Sequence, residues 1–195
     1  MLGGDQVRVN VTVAAGCALE LEDIGGTVAY DGEGLPASWH VDIELGTGAT
    51  LRWAGLPFVI ADGADVTRTL HLKLADDSRA TIRETLVLGR HGERGGRVVN
   101  VAQVTRAGHP ELVESLELRG GSGVPGITGD HRVLDTVMEF PAANARSATD
   151  NAPTANGIAP ATHTILELEA GGRIQRWLGA ELHRSPLQQV AAEAG

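Results

Sequence analysis

The chain is 195 residues long, enough for one compact β-rich unit that buries about 70% of its unfolded surface without a disulfide or metal staple. A net charge of −9 with dispersed basic residues leaves no basic stripe for nucleic acid or an anionic membrane, and no apolar run approaches the roughly 18 residues of a spanning helix. The single cysteine, Cys17, forms no internal disulfide and points to a reducing, cytoplasmic setting, while the opening MLGGDQVRVN lacks the basic-then-apolar pattern of a signal peptide.

Aromatic residues make up only 3% of the chain, so Val, Leu, Ile and Ala must build the core. In Val7-Arg8-Val9-Asn10-Val11-Thr12-Val13 the apolar side chains recur at every second position, which predicts a strand with one apolar face. The same alternation predicts strands over 40–45, 67–74, 81–88, 98–104, 112–118 and 164–168. Gly, Asp, Asn or Pro clusters separate most of them, as antiparallel strands joined by turns require. Residues 133–140 are apolar with looser alternation, which predicts burial on both faces. In the stretch 173–182, Ile174, Trp177, Leu178 and Leu182 share a face at helical spacing and predict a helix. Ala, Asn, Thr, Ser and Pro dominate 141–161, a composition that predicts a mobile loop.

One stretch recurs. Val13-Ala14-Ala15-Gly16-Cys17-Ala18-Leu19 resembles Leu45-Gly46-Thr47-Gly48-Ala49-Thr50-Leu51, the glycines lying 32 residues apart, with 74–82 a looser third copy. Stacked strand–turn–strand units would form a solenoid-like or layered sheet; shared hairpin turn chemistry is the plainer reading. The expected fold is mainly β, with layered or solenoid-like antiparallel sheets and a minor helical C-terminal element, in a single domain over 1–195.

Enzyme signatures are weak. Gly121-Ser122-Gly123-Val124-Pro125-Gly126 matches Gly-x-Gly-x-x-Gly, but Pro125, Gly126 and Gly129 continue a loop where a dinucleotide site needs a helix. Neither a nucleophile elbow nor a phosphate loop occurs. The seven histidines are at least 18 residues apart and lack Cys-x-x-Cys or His-x-x-x-His spacing, so no closed zinc site is supported locally. Folding would have to gather His71, His91 and carboxylates to offer a borderline ion such as nickel a site. Cys17, after a turn glycine, reads as a small buried residue rather than a soft ligand.

The densest cluster is Glu84-Thr85-Leu86-Val87-Leu88-Gly89-Arg90-His91-Gly92-Glu93. Glu84 shares a strand face with Ile82, Leu86 and Leu88 and should point toward the core, where a carboxylate needs a partner. Arg90 is the natural partner for Glu84 or Glu93. The pair is either an Arg–carboxylate clamp on a turn or a polar lining for an ion path.

At this cluster the sequence resembles the urease accessory protein D family. Leu2-Gly3-Gly4-Asp5 and the alternating strand after it resemble that family's Gly-Gly-Asp opening. Thr27-Val28-Ala29-Tyr30, then Arg52-Trp53, Leu56-Pro57 and Ile60-Ala61-Asp62-Gly63-Ala64, follow in the family's order. The run from Glu84 through Gly89-Arg90 to Gly92-Glu93 is the most specific match, and Glu114-Ser115-Leu116-Glu117-Leu118 and the strand at 133–140 continue it. Members usually carry further β structure before the Gly-Gly-Asp, so the resemblance implies a chain short at its N-terminus.

The resemblance implies a non-catalytic, cytoplasmic metallochaperone scaffold that takes part in nickel insertion. Its partners would be accessory proteins F and G and apo-urease, with room for a dimer inside the accessory complex. No cofactor would be bound tightly, and nickel would be in transit through an internal route. Gly4, Asp5, Tyr30, Asp62, Glu84, Gly89, Arg90, Gly92 and Glu93 are the motif positions, structural or on the ion path; catalytic residues would be absent and metal ligands are not identified. Two other readings stay open: a hydrolytic enzyme using a Glu84/Asp62 carboxylate pair, and a metal-independent β-repeat interaction module.

Overall fold

A computed structural model describes residues 1–122, 128–143 and 162–188. The period-2 apolar pattern produces thirteen strands among them: β1 (Gln6–Val13), β2 (Ala18–Glu22), β3 (Thr27–Ala29), β4 (Ala37–Leu45), β5 (Thr50–Ala54), β6 (Phe58–Ile60), β7 (Asp65–Leu74), β8 (Arg79–Leu88), β9 (Arg97–Arg106), β10 (His109–Arg119), β11 (Val133–Phe140), β12 (His163–Glu167) and β13 (Arg173–Gly179). One sheet has the order β1-β4-β7-β9-β10. The other runs β12-β13-β11-β8-β5-β2, with β3 and β6 also in it.

The recurrence in the sequence is the fold. Val13 lies beside Leu45 and Leu45 beside Leu74 in the first sheet, while Ala18, Thr50 and Arg79 align in the second. Each unit crosses from one sheet to the other through an arch, and the arches stack. Gly16 N donates to Thr47 O at 2.8 Å, Gly46 N to Val13 O at 2.9 Å and Thr50 N to Cys17 O at 2.9 Å. Gly16 and Gly48 take φ of 70° and 64°, a conformation that favours glycine. The third arch, at 75–78, repeats the flanking backbone bonds, Ala75 N to Leu45 O at 3.1 Å and Arg79 N to Ala49 O at 3.0 Å, and supplies the middle one from a side chain: Asp77 Oδ1 accepts from Gly48 N at 2.7 Å.

Two expectations need correction. The sheets are not antiparallel throughout: β1-β4-β7-β9 and β2-β5-β8 pair in parallel, because each unit repeats the same path. The strands flanking each arch lie in different sheets and so are not hairpins. Antiparallel pairing enters with β9-β10 and with β8-β11-β13-β12. The expected C-terminal helix is strand β13, followed by a lone 3-10 turn at Leu182–Arg184. The helical spacing was a by-product of burial on both faces. Ile174 packs into the space between the sheets, and Trp177 packs on the outer face against Val133, Val137 and Leu187. The two-sided burial expected at 133–140 is present in β11. The loop expected at 141–161 lies outside the described residues beyond Ala143.

Inward-facing side chains of the two sheets form two apolar clusters. One, beside the arches, contains Val41, Ile43, Leu72, Ile82, Met138 and Phe140. The other contains Phe58, Ile60, Val66, Leu86, Val98 and Leu134. Burial of such aliphatic side chains, at roughly 1.5–3 kcal/mol each, is the main force holding the sheets together. No helix among the described residues is long and apolar enough to cross a membrane.

Candidate functional site

Charged residues occupy the inward-facing positions between the two clusters. On β7, Val66, Arg68 and Leu70 share the buried face, and on β9 Asn100 sits between Val98 and Ala102. Register places Arg68 beside Asn100, and Glu84 beside Thr136, which is beside Arg176. Across the sandwich, Arg68 Nη2 donates to Glu84 Oε1 at 3.1 Å, Arg68 Nη1 to Asn100 Oδ1 at 3.1 Å, and Asn100 Nδ2 to Glu84 Oε2 at 3.4 Å. Farther along, Arg176 forks onto Glu114, with Nη1 to Oε1 at 2.8 Å and Nη2 on Oε2. The layer thus holds two guanidinium groups and two carboxylates, and its formal charges cancel.

A gap in the second sheet leads to this layer. Strand β8 is continuous, but β5 pairs only with Arg79–Arg83 and β6 only with Leu86–Leu88, so Glu84 and Thr85 have no strand partner on that side. The neighbouring strands β2 and β3 are interrupted at the same level, at 23–26. A cavity of about 350 Å³ fills the gap, lined by Asp23, Trp39, Trp53, Phe58, Arg68 and Glu84 among others. Asp23 braces its rim, accepting from Trp53 Nε1 at 3.1 Å and Leu56 N at 2.8 Å. Two buried donors on its lining, Trp39 Nε1 and Arg68 Nε, have no hydrogen-bond partner among the described residues. Buried donors of this kind ordinarily meet water or a ligand. On the far side of Glu84 lies a second cavity of about 10 Å³, lined by Asn100, Glu114, Thr136 and Arg176. That is room for roughly one water-sized particle. Glu84 lines both cavities.

The remaining motif residues lie elsewhere. Ala29, Ile60 and Leu88 are aligned in register, so the chain leaves β3, β6 and β8 at one corner, where Tyr30, Asp62, Gly89, Arg90, Gly92 and Glu93 gather. Glu93 organises it: Oε1 accepts from Arg90 Nε at 2.7 Å, and Oε2 from Arg90 N at 2.8 Å and Asp62 N at 3.3 Å. Asp62 Oδ1 accepts from Gly95 N at 2.5 Å, and the Arg90 guanidinium lies 5.4 Å from the Tyr30 ring centroid. These bonds, the Arg90 side chain's first, hold the Glu93 carboxyl down at about 2. Gly4 and Asp5 form a separate N-terminal turn in which Asp5 Oδ2 accepts from Leu2 N at 2.7 Å.

Arg90 therefore partners Glu93, whereas Glu84 is held by Arg68 and Asn100. The Glu84/Asp62 pair does not form: Glu84 is in the interior layer and Asp62 braces the corner. His71 and His91 are not gathered either. His71 Nδ1 lies 2.9 Å from Asp42 Oδ1 on the outer face, and His91 is exposed in a turn. Cys17 is exposed, contrary to the expected burial, because its arch is at the edge of the stack. The 121–126 glycine stretch lies partly outside the described residues.

Arg68, Asn100, Glu114 and Arg176 escaped the sequence reading. For the first three the signal was present, each being a polar residue on the apolar phase of an alternating strand, as Glu84 is; Arg176 lay in the stretch whose spacing predicted a helix.

The family model described as UreD urease accessory protein matches residues 1–193. A relative from Streptomyces griseus named "Urease accessory protein UreD 1" is 42% identical over 139 residues, covering 70% of this chain and 54% of its own length. Two from Saccharopolyspora erythraea are also similar. Its "Urease accessory protein UreD 1" is 39% identical over 118 residues, covering 60% of this chain and 46% of the relative. Its "Urease accessory protein UreD 2" is 32% identical over 177 residues, covering 88% and 58%. The chain spans about half the length of the curated relatives it matches.

Proposed function

The chain belongs to the UreD urease accessory protein family, whose members are accessory proteins and not enzymes, and on that premise we propose that it escorts nickel during urease maturation. It acts in the cytoplasm as a metallochaperone scaffold that binds accessory protein F, meets accessory protein G and apo-urease in the same complex, and passes nickel toward the urease active site. Glu84 carries this reading: a carboxylate between two cavities, in a polar layer that interrupts an otherwise apolar core. A desolvated charged layer is costly, and apolar side chains of similar volume would serve stability as well or better. An ion route gives that layer a use.

The chemistry suits transit. Both Glu84 oxygens already accept hydrogen bonds, so an arriving cation meets a contested ligand and is held weakly enough to leave. The inner cavity admits a particle about the size of one water, so a cation passes there stripped of most of its hydration shell unless the walls move. The stacked parallel units supply rigid walls; as a repeat module they account for the scaffold and do not by themselves name a partner.

The test is complementation. A urease maturation system lacking its D component is supplied with this chain, and urease activity together with co-purification of accessory protein F is measured. Restored activity is expected; activity equal to that of the depleted system overturns the reading.

A further inference from the structure

We propose that Arg68 is a displaceable plug in this route, and that a divalent cation advances by taking its place on Glu84; the inference rests on the conduit reading. The placement of three side chains carries it. Glu84 lines both cavities, Arg68 lines only the outer one and Asn100 only the inner one, so their hydrogen-bonded triangle is the wall between the two.

Arg68 is the part of that wall with freedom to move. Its long side chain borders the outer cavity of about 350 Å³, whereas Asn100 is short and borders the inner one of about 10 Å³. The Arg68 Nε has no hydrogen-bond partner among the described residues. Besides Glu84 and Asn100, the guanidinium rests on the Phe58 ring, 4.8 Å from its centroid.

Charge makes the exchange reciprocal. With Arg68 in place, a dication next to Glu84 meets a like charge at close range in a poorly screened interior. When the guanidinium swings into the outer cavity, Glu84 Oε1 is released and the dication, the stronger charge, is the one it holds. Once the ion has passed, Glu84 is left a mostly buried carboxylate without a counter-charge, and that draws Arg68 back. The plug is therefore closed at rest and opened by the cargo.

Isothermal titration of the purified full chain with nickel(II) tests this. Arg68→Met should gain one nickel site at least tenfold tighter than any in the wild-type chain, and the double variant Arg68→Met/Glu84→Gln should lose it. Phe58→Leu removes the ring under the guanidinium and leaves every charge in place, so nickel affinity should rise about two- to fivefold. Unchanged affinity in Arg68→Met, or a gained site that survives loss of Glu84, overturns the plug. If Arg68→Met does not fold, unchanged affinity in Phe58→Leu overturns it. Urease activation by the double variant separates the two readings: activation lost, with no gain of nickel binding in Arg68→Met, keeps the conduit and removes the plug.

Discussion

Asp135 is fully buried and is gripped at both oxygens by Arg83, Nε to Oδ1 at 2.9 Å and Nη2 to Oδ2 at 2.8 Å. Thr85 and Ser185 complete its shell at 2.9 and 2.5 Å. Ser185 Oγ in turn accepts from Leu187 N at 3.1 Å, which seats Leu187 in the apolar cluster on the outer face of the second sheet. One carboxylate thus ties the C-terminal segment to β8 and β11. Asp135→Ala strands the Arg83 charge and should cost about 3–5 kcal/mol in urea unfolding; a loss below about 1 kcal/mol would show that the shell is dispensable.

Glu84→Ala should destabilise the chain on the order of 3 kcal/mol, because Arg68 is left charged and mostly buried. Removing both charges together, as in Arg68→Met/Glu84→Gln, should bring unfolding back to within about 1 kcal/mol of wild type. Urea midpoints of the three chains check both statements, and equal losses in the single and double variants would refute the pairing.

Gly89 and Gly92 lie in the same corner and share a left-handed backbone, with φ of 76° and 81°. Their surroundings differ. A Cβ on Gly89 would lie 2.8 Å from both Glu93 O and Gly95 N, whereas one on Gly92 meets nothing within 4 Å. Gly92→Ala should cost about 1–2 kcal/mol, the strain of the conformation alone. Gly89→Ala should cost clearly more, since backbone must shift as well. Thermal melting of the two variants gives the order, and equal losses would contradict it.

The Glu93 carboxyl is held at about 2, below its ordinary 4.5, first by the Arg90 side chain and then by the Arg90 amide. Its folded value is depressed, so its contribution to stability is complete above about pH 4.5 and lost as pH falls toward 2. The corner should therefore stay ordered at pH 5 and loosen only under strong acid. Carbon-13 titration of the Glu93 carboxyl measures this; a midpoint near 4.5 would mean that the clamp does not form in solution.

Much of the architecture was legible in the sequence, because alternation and the 32-residue recurrence record which side chains face inward. Glu84 was legible as an inward-pointing carboxylate for the same reason. Its partner was not: Arg90 is nearer along the chain, whereas Arg68 reaches Glu84 from the opposite sheet, and only the crossing of the arches brings β7 and β8 face to face. Parallel pairing was hidden because hairpins and arches use the same turn residues, and β13 looked helical because Trp177 packs outward while Ile174 packs inward. The gap that exposes Glu84 arises from where β5 ends and β6 begins, a registration against β8 that local pattern does not encode.

Urease activation by the full chain carrying Arg68→Met/Glu84→Gln tests the conduit most directly, since this pair of changes removes the contested carboxylate while keeping the interior neutral and filled. Activation at least tenfold below wild type, by a chain that melts normally and still co-purifies with accessory protein F, is the expected result. Wild-type activation by that chain would show that nickel does not travel past Glu84.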